Sequence, residues 1–167
     1  MPIIHEGNLT FDFPKDWLAE KYDGWSFYVH QFQQVCGGAK AIDILAVNWG
    51  ICCWLIEVKD YRRGCQTTAL SLADAVAQKV RDTLAGVASA RIRATGNERQ
   101  AADAGLTCAN FRVVLHMEQP ATVSAIFPSP INRANVLQRL KQLIKAVDPS
   151  PQVVDMRTSN SLPWTVK

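Results

Sequence analysis

Apolar and polar positions in this chain follow two periods, and each switch between them marks an element. Trp17, Leu18 and Tyr22 share a helical face and Pro14 suits a first turn, so a short helix is expected from Pro14 to about Tyr22. The stretch GWSFYVHQFQQVCGG follows, aromatic and β-branched, bounded by Gly24 and the Gly37–Gly38 pair, which predicts a strand ending in a turn. Two further strands, about 40–48 and 51–60, meet at NWG, where Asn and Gly tolerate the positive φ of a hairpin.

A helical stripe then runs through Leu72, Ala75 or Val76, Lys79 or Val80, Thr83 and Val87, with Thr67 or Thr68 available as a cap. RATGNERQAADAGLTCAN loses that pattern and reads as a loop. FRVVLHM is a short buried strand. In SPINRANVLQRLKQLIKAV, Ser129 can cap a helix, Pro130 fits its first turn, and Ile131, Leu137, Leu140, Ile144 and Val147 line one face. PQVVDM adds a last strand. Hairpin-linked strands followed by a helical crossover predict an α/β fold, a mixed central sheet flanked by helices.

Composition narrows this picture only a little. A chain of 167 residues is one domain, spanning 1–167, and too short for two. With 48% hydrophobic and 20% charged residues it is globular, and a net charge of +3 permits a nucleic-acid partner without arguing for one. The N-terminal stretch lacks the pattern of a signal peptide, and no apolar run can span a bilayer. Five cysteines, an odd count without CxxC spacing, predict five free thiols and a cytoplasmic setting without membrane contact.

Candidate chemistry lies in AIDILAVNWGICCWLIEVKDYRRG, residues 41–64. Asp43 and Glu57 interrupt two runs that are otherwise buried strands, and burying an unpaired carboxylate costs several kcal/mol or forces protonation. Alternation puts Glu57 and Lys59 on one strand face, and a hairpin centred near Asn48 to Gly50 brings Asp43 beside Glu57. Two close carboxylates repel unless a cation lies between them, and hard oxygen ligands favour Mg²⁺, with Mn²⁺ as a substitute.

Asp43, followed by Glu57-Val58-Lys59 on the next strand of a hairpin, resembles the PD-(D/E)xK nuclease superfamily. The resemblance covers about 14–119 and leaves a C-terminal helix, about 130–147, as an addition. It implies a restriction-endonuclease-like core of helix, three strands, helix and strand. It further implies that Asp43, Glu57 and the Val58 carbonyl hold the metal, while Lys59 orients the attacking water. Ile42 stands where the motif's name has proline. Many members add an acid from the first helix, for which Glu20 is better placed than Glu6. A Gln or basic residue on the helix after the lysine is also common, and Gln78, Lys79 and Arg81 all occupy that helix.

Arg62 and Arg63, just past Lys59, suit phosphate through bidentate bonds, or form a solvated loop. His5, His30 and His116 have no ligand spacing, and Ser71 and Cys65 lack a base partner. Trp49 sits at a hairpin tip. The expected function is Mg-dependent hydrolysis of phosphodiester bonds in DNA, with RNA as the lesser substrate and a homodimer or partner protein supplying specificity. The competing expectation is a non-catalytic binding or assembly module on a nuclease fold.

Overall fold

The computed structural model describes residues 1–64, 67–120 and 130–167. Strands β1 (Ile3–Glu6), β2 (Leu9–Asp12) and β8 (Thr165–Val166) form a small antiparallel sheet in the order β1-β2-β8. The main sheet is five-stranded in the order β3-β4-β5-β6-β7: β3 (Leu18–Lys21), β4 (Ile44–Asn48), β5 (Cys52–Asp60), β6 (Asn110–Glu118) and β7 (Gln152–Val154). The β3–β4 and β4–β5 pairs are antiparallel and β5–β6 and β6–β7 parallel, so the sheet is mixed and the fold α/β, as expected. Helices α1 (Ala69–Arg93) and α2 (Gly96–Leu106) form the crossover to β6, and α3 (Arg133–Ile144) the crossover to β7. Among the described residues, no helix is long and apolar enough to cross a membrane.

Alternation along the strands gives the main sheet two apolar faces. Leu45, Val47, Leu55, Val113 and Leu115 meet Leu72, Val76, Val80 and Val87 of α1 and Val136 and Leu140 of α3. Ile44, Ala46, Ile56, Val58 and Val114 meet Leu9, Phe11, Phe13, Trp17 and Trp164 beneath the small sheet. The molecule is thus three layers: helices, main sheet, small sheet.

Three expected elements differ. The helix proposed from Pro14 to Tyr22 contains strand β3, whose Leu18 pairs with Val47 and Glu20 with Leu45. Pairing with β4 outweighs a weak helical pattern in so short a segment. The stretch after Gly24 is helical, not a strand. Trp25, Tyr28 and Phe32 are buried at helical spacing, and Tyr28–Phe32 is a wide helical turn. Its start is capped by Glu98, whose carboxylate accepts the Ser26 and Phe27 N–H groups at 2.6 and 3.0 Å. That same glutamate belongs to α2, which replaces the expected loop at 93–110. Its small buried face, Ala101, Ala102, Ala104 and Gly105, packs closely, and a Cβ at Gly105 would lie 3.1 Å from the Cys53 sulfur.

Other expectations hold in part. Thr68 caps α1 by accepting the Ser71 N–H at 3.1 Å. Helix α3 is capped by Asn132, which accepts the Ala134 and Asn135 N–H groups. The helix therefore starts three residues later than expected: Pro130 precedes it rather than filling its first turn, and Ser129, which lies outside the described residues, is not its cap. Cys36, Cys52, Cys53 and Cys108 are free thiols, and Cys65 lies outside the described residues. Burial pushes Cys52 up to about 11 and Cys53 higher still, so neither is a nucleophile at neutral pH.

The small-sheet face also buries a polar cluster. His116, wholly buried, shares a hydrogen bond with Glu118 at 2.9 Å and stands edge-on to Phe11. Glu118 also accepts the Met156 N–H at 2.8 Å, and Asp155 pairs with Arg133. Burial holds His116 below its ordinary 6.5, against the opposing pull of Glu118 and Asp155, with Arg133 adding to the lowering. The fold therefore prefers the neutral imidazole. Its contribution is complete above pH 6.5 and declines as pH falls and the unfolded chain takes up the proton. Calorimetry from pH 7.5 to 5 should show Tm falling below pH 6.5, and His116→Phe should flatten that decline. A wild-type Tm unchanged over this range would contradict the assignment.

Candidate functional site

The hairpin register brings the two acids together. Ile44 pairs with Ile56, so one step outward sets Asp43 opposite Glu57, on the helix-facing side of the sheet. Asp43 Oδ2 accepts the Val58 N–H at 2.7 Å, and its backbone carbonyl accepts the Tyr22 N–H at 3.0 Å. The carboxylate is thereby pinned to β5, and the backbone of the same residue to the turn just after β3.

Glu57 is fully buried, and two ammonium groups converge on one of its oxygens. Lys59 Nζ lies 2.5 Å from Oε1 and Lys79 Nζ 2.6 Å from the same atom. Lys79 also lies 3.6 Å from Asp43 Oδ1, so it bridges the two acids. Lys59 donates in addition to the Val58 carbonyl at 3.3 Å. Both lysine side chains keep some contact with solvent, 30% for Lys59 and 23% for Lys79.

Two acids and two lysines neutralise one another in this cluster. Burial raises Glu57 above the usual carboxylate range, Asp43 adds to that, and the lysines oppose it. Burial works to lower Lys59, but Glu57, Asp43 and Glu6 outweigh it and keep its ammonium charged. The structure thus answers the cost of burying the acids with lysines from β5 and α1.

Does the donor set also fit a divalent cation? Glu57 Oε2 is buried without a hydrogen-bond partner, an acceptor that no protein donor satisfies. Asp43, Glu57 and the Val58 carbonyl are hard oxygen donors that suit Mg²⁺, an ion that keeps several waters. Among the described residues, no group of three or more His, Cys, Asp and Glu side chains is arranged to hold a metal. Two carboxylates and one carbonyl are thus the donors that a largely hydrated Mg²⁺ would meet there.

The remaining candidates fall elsewhere. Glu20 is not on a helix but on β3, and burial raises it, with Trp25 opposing and Glu98 adding. Its register opposite Leu45 puts it on the helix-facing side of the sheet, where Trp25 and Glu98 of α2 are its neighbours. Glu6 pairs with Lys21 at 2.7 Å. Arg62 grips Asp60 with two hydrogen bonds, 2.8 and 2.6 Å, on the opposite face of β5 from Glu57. Arg63 is exposed on the following turn. Of the three helical candidates only Lys79 enters the site. Gln78 lines a groove of about 650 Å³ between α1 and α3, and Arg81 pairs with Asp82 at 2.9 Å.

Asp23 escaped the sequence reading. It lies on the turn after β3, burial raises it, Lys21 opposes this, and the nearby charges of Asp43 and Glu6 add to the rise. Its Oδ1 is buried without a partner. The only signal was an acid followed by glycine in YDGW, which marks a turn wherever it occurs.

Fold and site together define an α/β domain with a self-neutralised acid–lysine cluster at the end of a central strand. A cysteine–tRNA ligase of Neisseria meningitidis serogroup A is 33% identical to this chain over 170 aligned positions. The alignment takes in 83% of this chain and 24% of that protein, so the chain spans about a quarter of the ligase's length. No family model matches the chain, and no solved structure matches it. The ligase relationship overturns the expectation of a DNA-cleaving nuclease, and of a hydrolase generally. The acid and lysine spacing that suggested it also describes a charge-compensated strand end.

Proposed function

We propose that this chain is an RNA-contacting domain of an aminoacyl-tRNA-synthetase-related protein, acting in the cytoplasm, with tRNA as its partner. The observation that carries the reading is the pair of partly exposed lysines at the acid cluster, in a chain related to a tRNA ligase. Lys59 and Lys79 would meet the phosphate backbone, where ammonium groups position nucleic acid without reading sequence. Under this reading the core of β3 to β6 with α1 is a restriction-endonuclease-like scaffold put to holding RNA. Because the chain spans about a quarter of the ligase, the reading assigns it RNA contact and not the ligation reaction.

Asp43, Glu57 and the Val58 carbonyl would hold Mg²⁺. When bound, the ion supplies positive charge for an RNA phosphate beside the lysines. Asp43 is anchored by the Val58 N–H, and this fixes the spacing of the two acids.

Fluorescence anisotropy with labelled tRNA, and with duplex DNA of equal length, tests the reading across a salt series. Wild type should bind tRNA more tightly than the duplex. Lys59→Ala should weaken tRNA binding and reduce the salt slope by about 1. Equal binding of both nucleic acids, or no tRNA binding at low salt, would overturn it.

A further inference from the structure

Lys79 occupies the place between the two acids. Its ammonium is 2.6 Å from Glu57 Oε1 and 3.6 Å from Asp43 Oδ1, whereas Lys59 reaches Glu57 and the Val58 carbonyl. The two lysines also come from different elements. Lys59 belongs to β5 itself, so the strand ties it to Glu57. Lys79 arrives from α1 on a long, flexible side chain and retains a path to solvent.

We propose that Lys79 is a tethered counter-cation that a divalent ion displaces, and that its release hands the ammonium to an RNA phosphate. This rests on the RNA-contact reading for its second half only. The charge arithmetic requires competition. Asp43 and Glu57 carry two negative charges, and two ammonium groups already balance them. A divalent ion entering with both lysines in place would leave the cluster with an excess of two positive charges in a partly buried site. Expelling Lys79 halves that excess, and a phosphate brought against the freed ammonium pairs its charge outside the cluster.

Linkage then makes the effect reciprocal. If the cation releases Lys79 for RNA, RNA must tighten cation binding by the same factor. The orphaned Glu57 Oε2 gives the ion a foothold before Lys79 leaves.

The test is calorimetric titration of Mn²⁺ into the protein alone, with no nucleic acid present. Lys79→Met keeps the length of the side chain and removes its charge, and should bind Mn²⁺ about tenfold more tightly than wild type. Lys79→Arg keeps the charge and should stay within about twofold of wild type. Circular dichroism establishes that each variant is folded, and Lys79→Gln serves if the methionine variant is not. Equal or weaker Mn²⁺ affinity in the uncharged variant, or no Mn²⁺ binding by either protein, overturns the competition. A second arm measures tRNA binding with and without Mg²⁺. Wild type should tighten with the ion and Lys79→Met should not. Tighter Mn²⁺ binding by Lys79→Met without any tRNA binding would leave the competition standing and sink the RNA reading and the hand-over with it.

Discussion

Gly86→Ala should destabilise the protein by about 2–3 kcal/mol, although the same change in an exposed helix stabilises by about 1 kcal/mol. Gly86 lies on the buried face of α1, and a Cβ there would fall 2.0 Å from the Tyr22 hydroxyl and 3.2 Å from two Phe32 ring carbons. Tyr22 cannot swing aside. It is fully buried, with Trp25 at a centroid distance of 4.9 Å and Tyr28 at 5.5 Å. The hydroxyl itself is buried without a hydrogen-bond partner, so removing it costs no bond. Tyr22→Phe should therefore be neutral or stabilising alone, and should recover most of the loss in the double variant. Urea unfolding of all four proteins reads the coupling directly. Additive effects, or a Gly86→Ala protein as stable as wild type, would refute this packing account.

Asp148→Ala should cost about 2–4 kcal/mol, through hydrogen bonds rather than packing. Asp148 is fully buried and gathers three donors: the Val113 N–H at 2.8 Å, the Ser150 N–H at 2.8 Å and Arg112 Nη1 at 3.3 Å. It ties the loop after α3 to the start of β6. Alanine leaves buried N–H groups unpaired, each costing about 1–3 kcal/mol, with partial relief from water at the Ser150 side. Asp148→Asn keeps one oxygen acceptor and should lose less than half as much. Hydrogen exchange at the Val113 amide should accelerate in the alanine variant beyond the change in global stability. Unchanged exchange there would mean the carboxylate is dispensable.

Much of the candidate site was legible because a tight hairpin leaves little freedom. Once NWG is taken as the turn, the two-residue period of the strands sets Asp43 beside Glu57 and Lys59 on the same face. The crossover helix was legible for a similar reason: a threonine cap and a long apolar stripe agree over many turns. The chemistry assigned to that site did not follow from its geometry. Acids and lysines two residues apart serve several ends, and the ligase relationship, not the spacing, removed the DNA-cleavage reading.

The sequence by itself determined the hairpin, the α1 crossover, the mixed sheet and the meeting of Asp43 with Glu57, all set by local periods and one turn. Only the tertiary structure decided the rest. Residues 18–21 became a strand because β4 offered backbone partners. The aromatic stretch after Gly24 became helical because Glu98, far along the chain, satisfied its first N–H groups. Helix α2 formed on alanines too weakly patterned to announce it, held by close packing at Gly105. Lys79, rather than Gln78 or Arg81, entered the site because the roll of α1 on the sheet is fixed by core packing along its whole length. Each of these depends on a group supplied from elsewhere in the chain, and a local pattern carries no record of its distant partner.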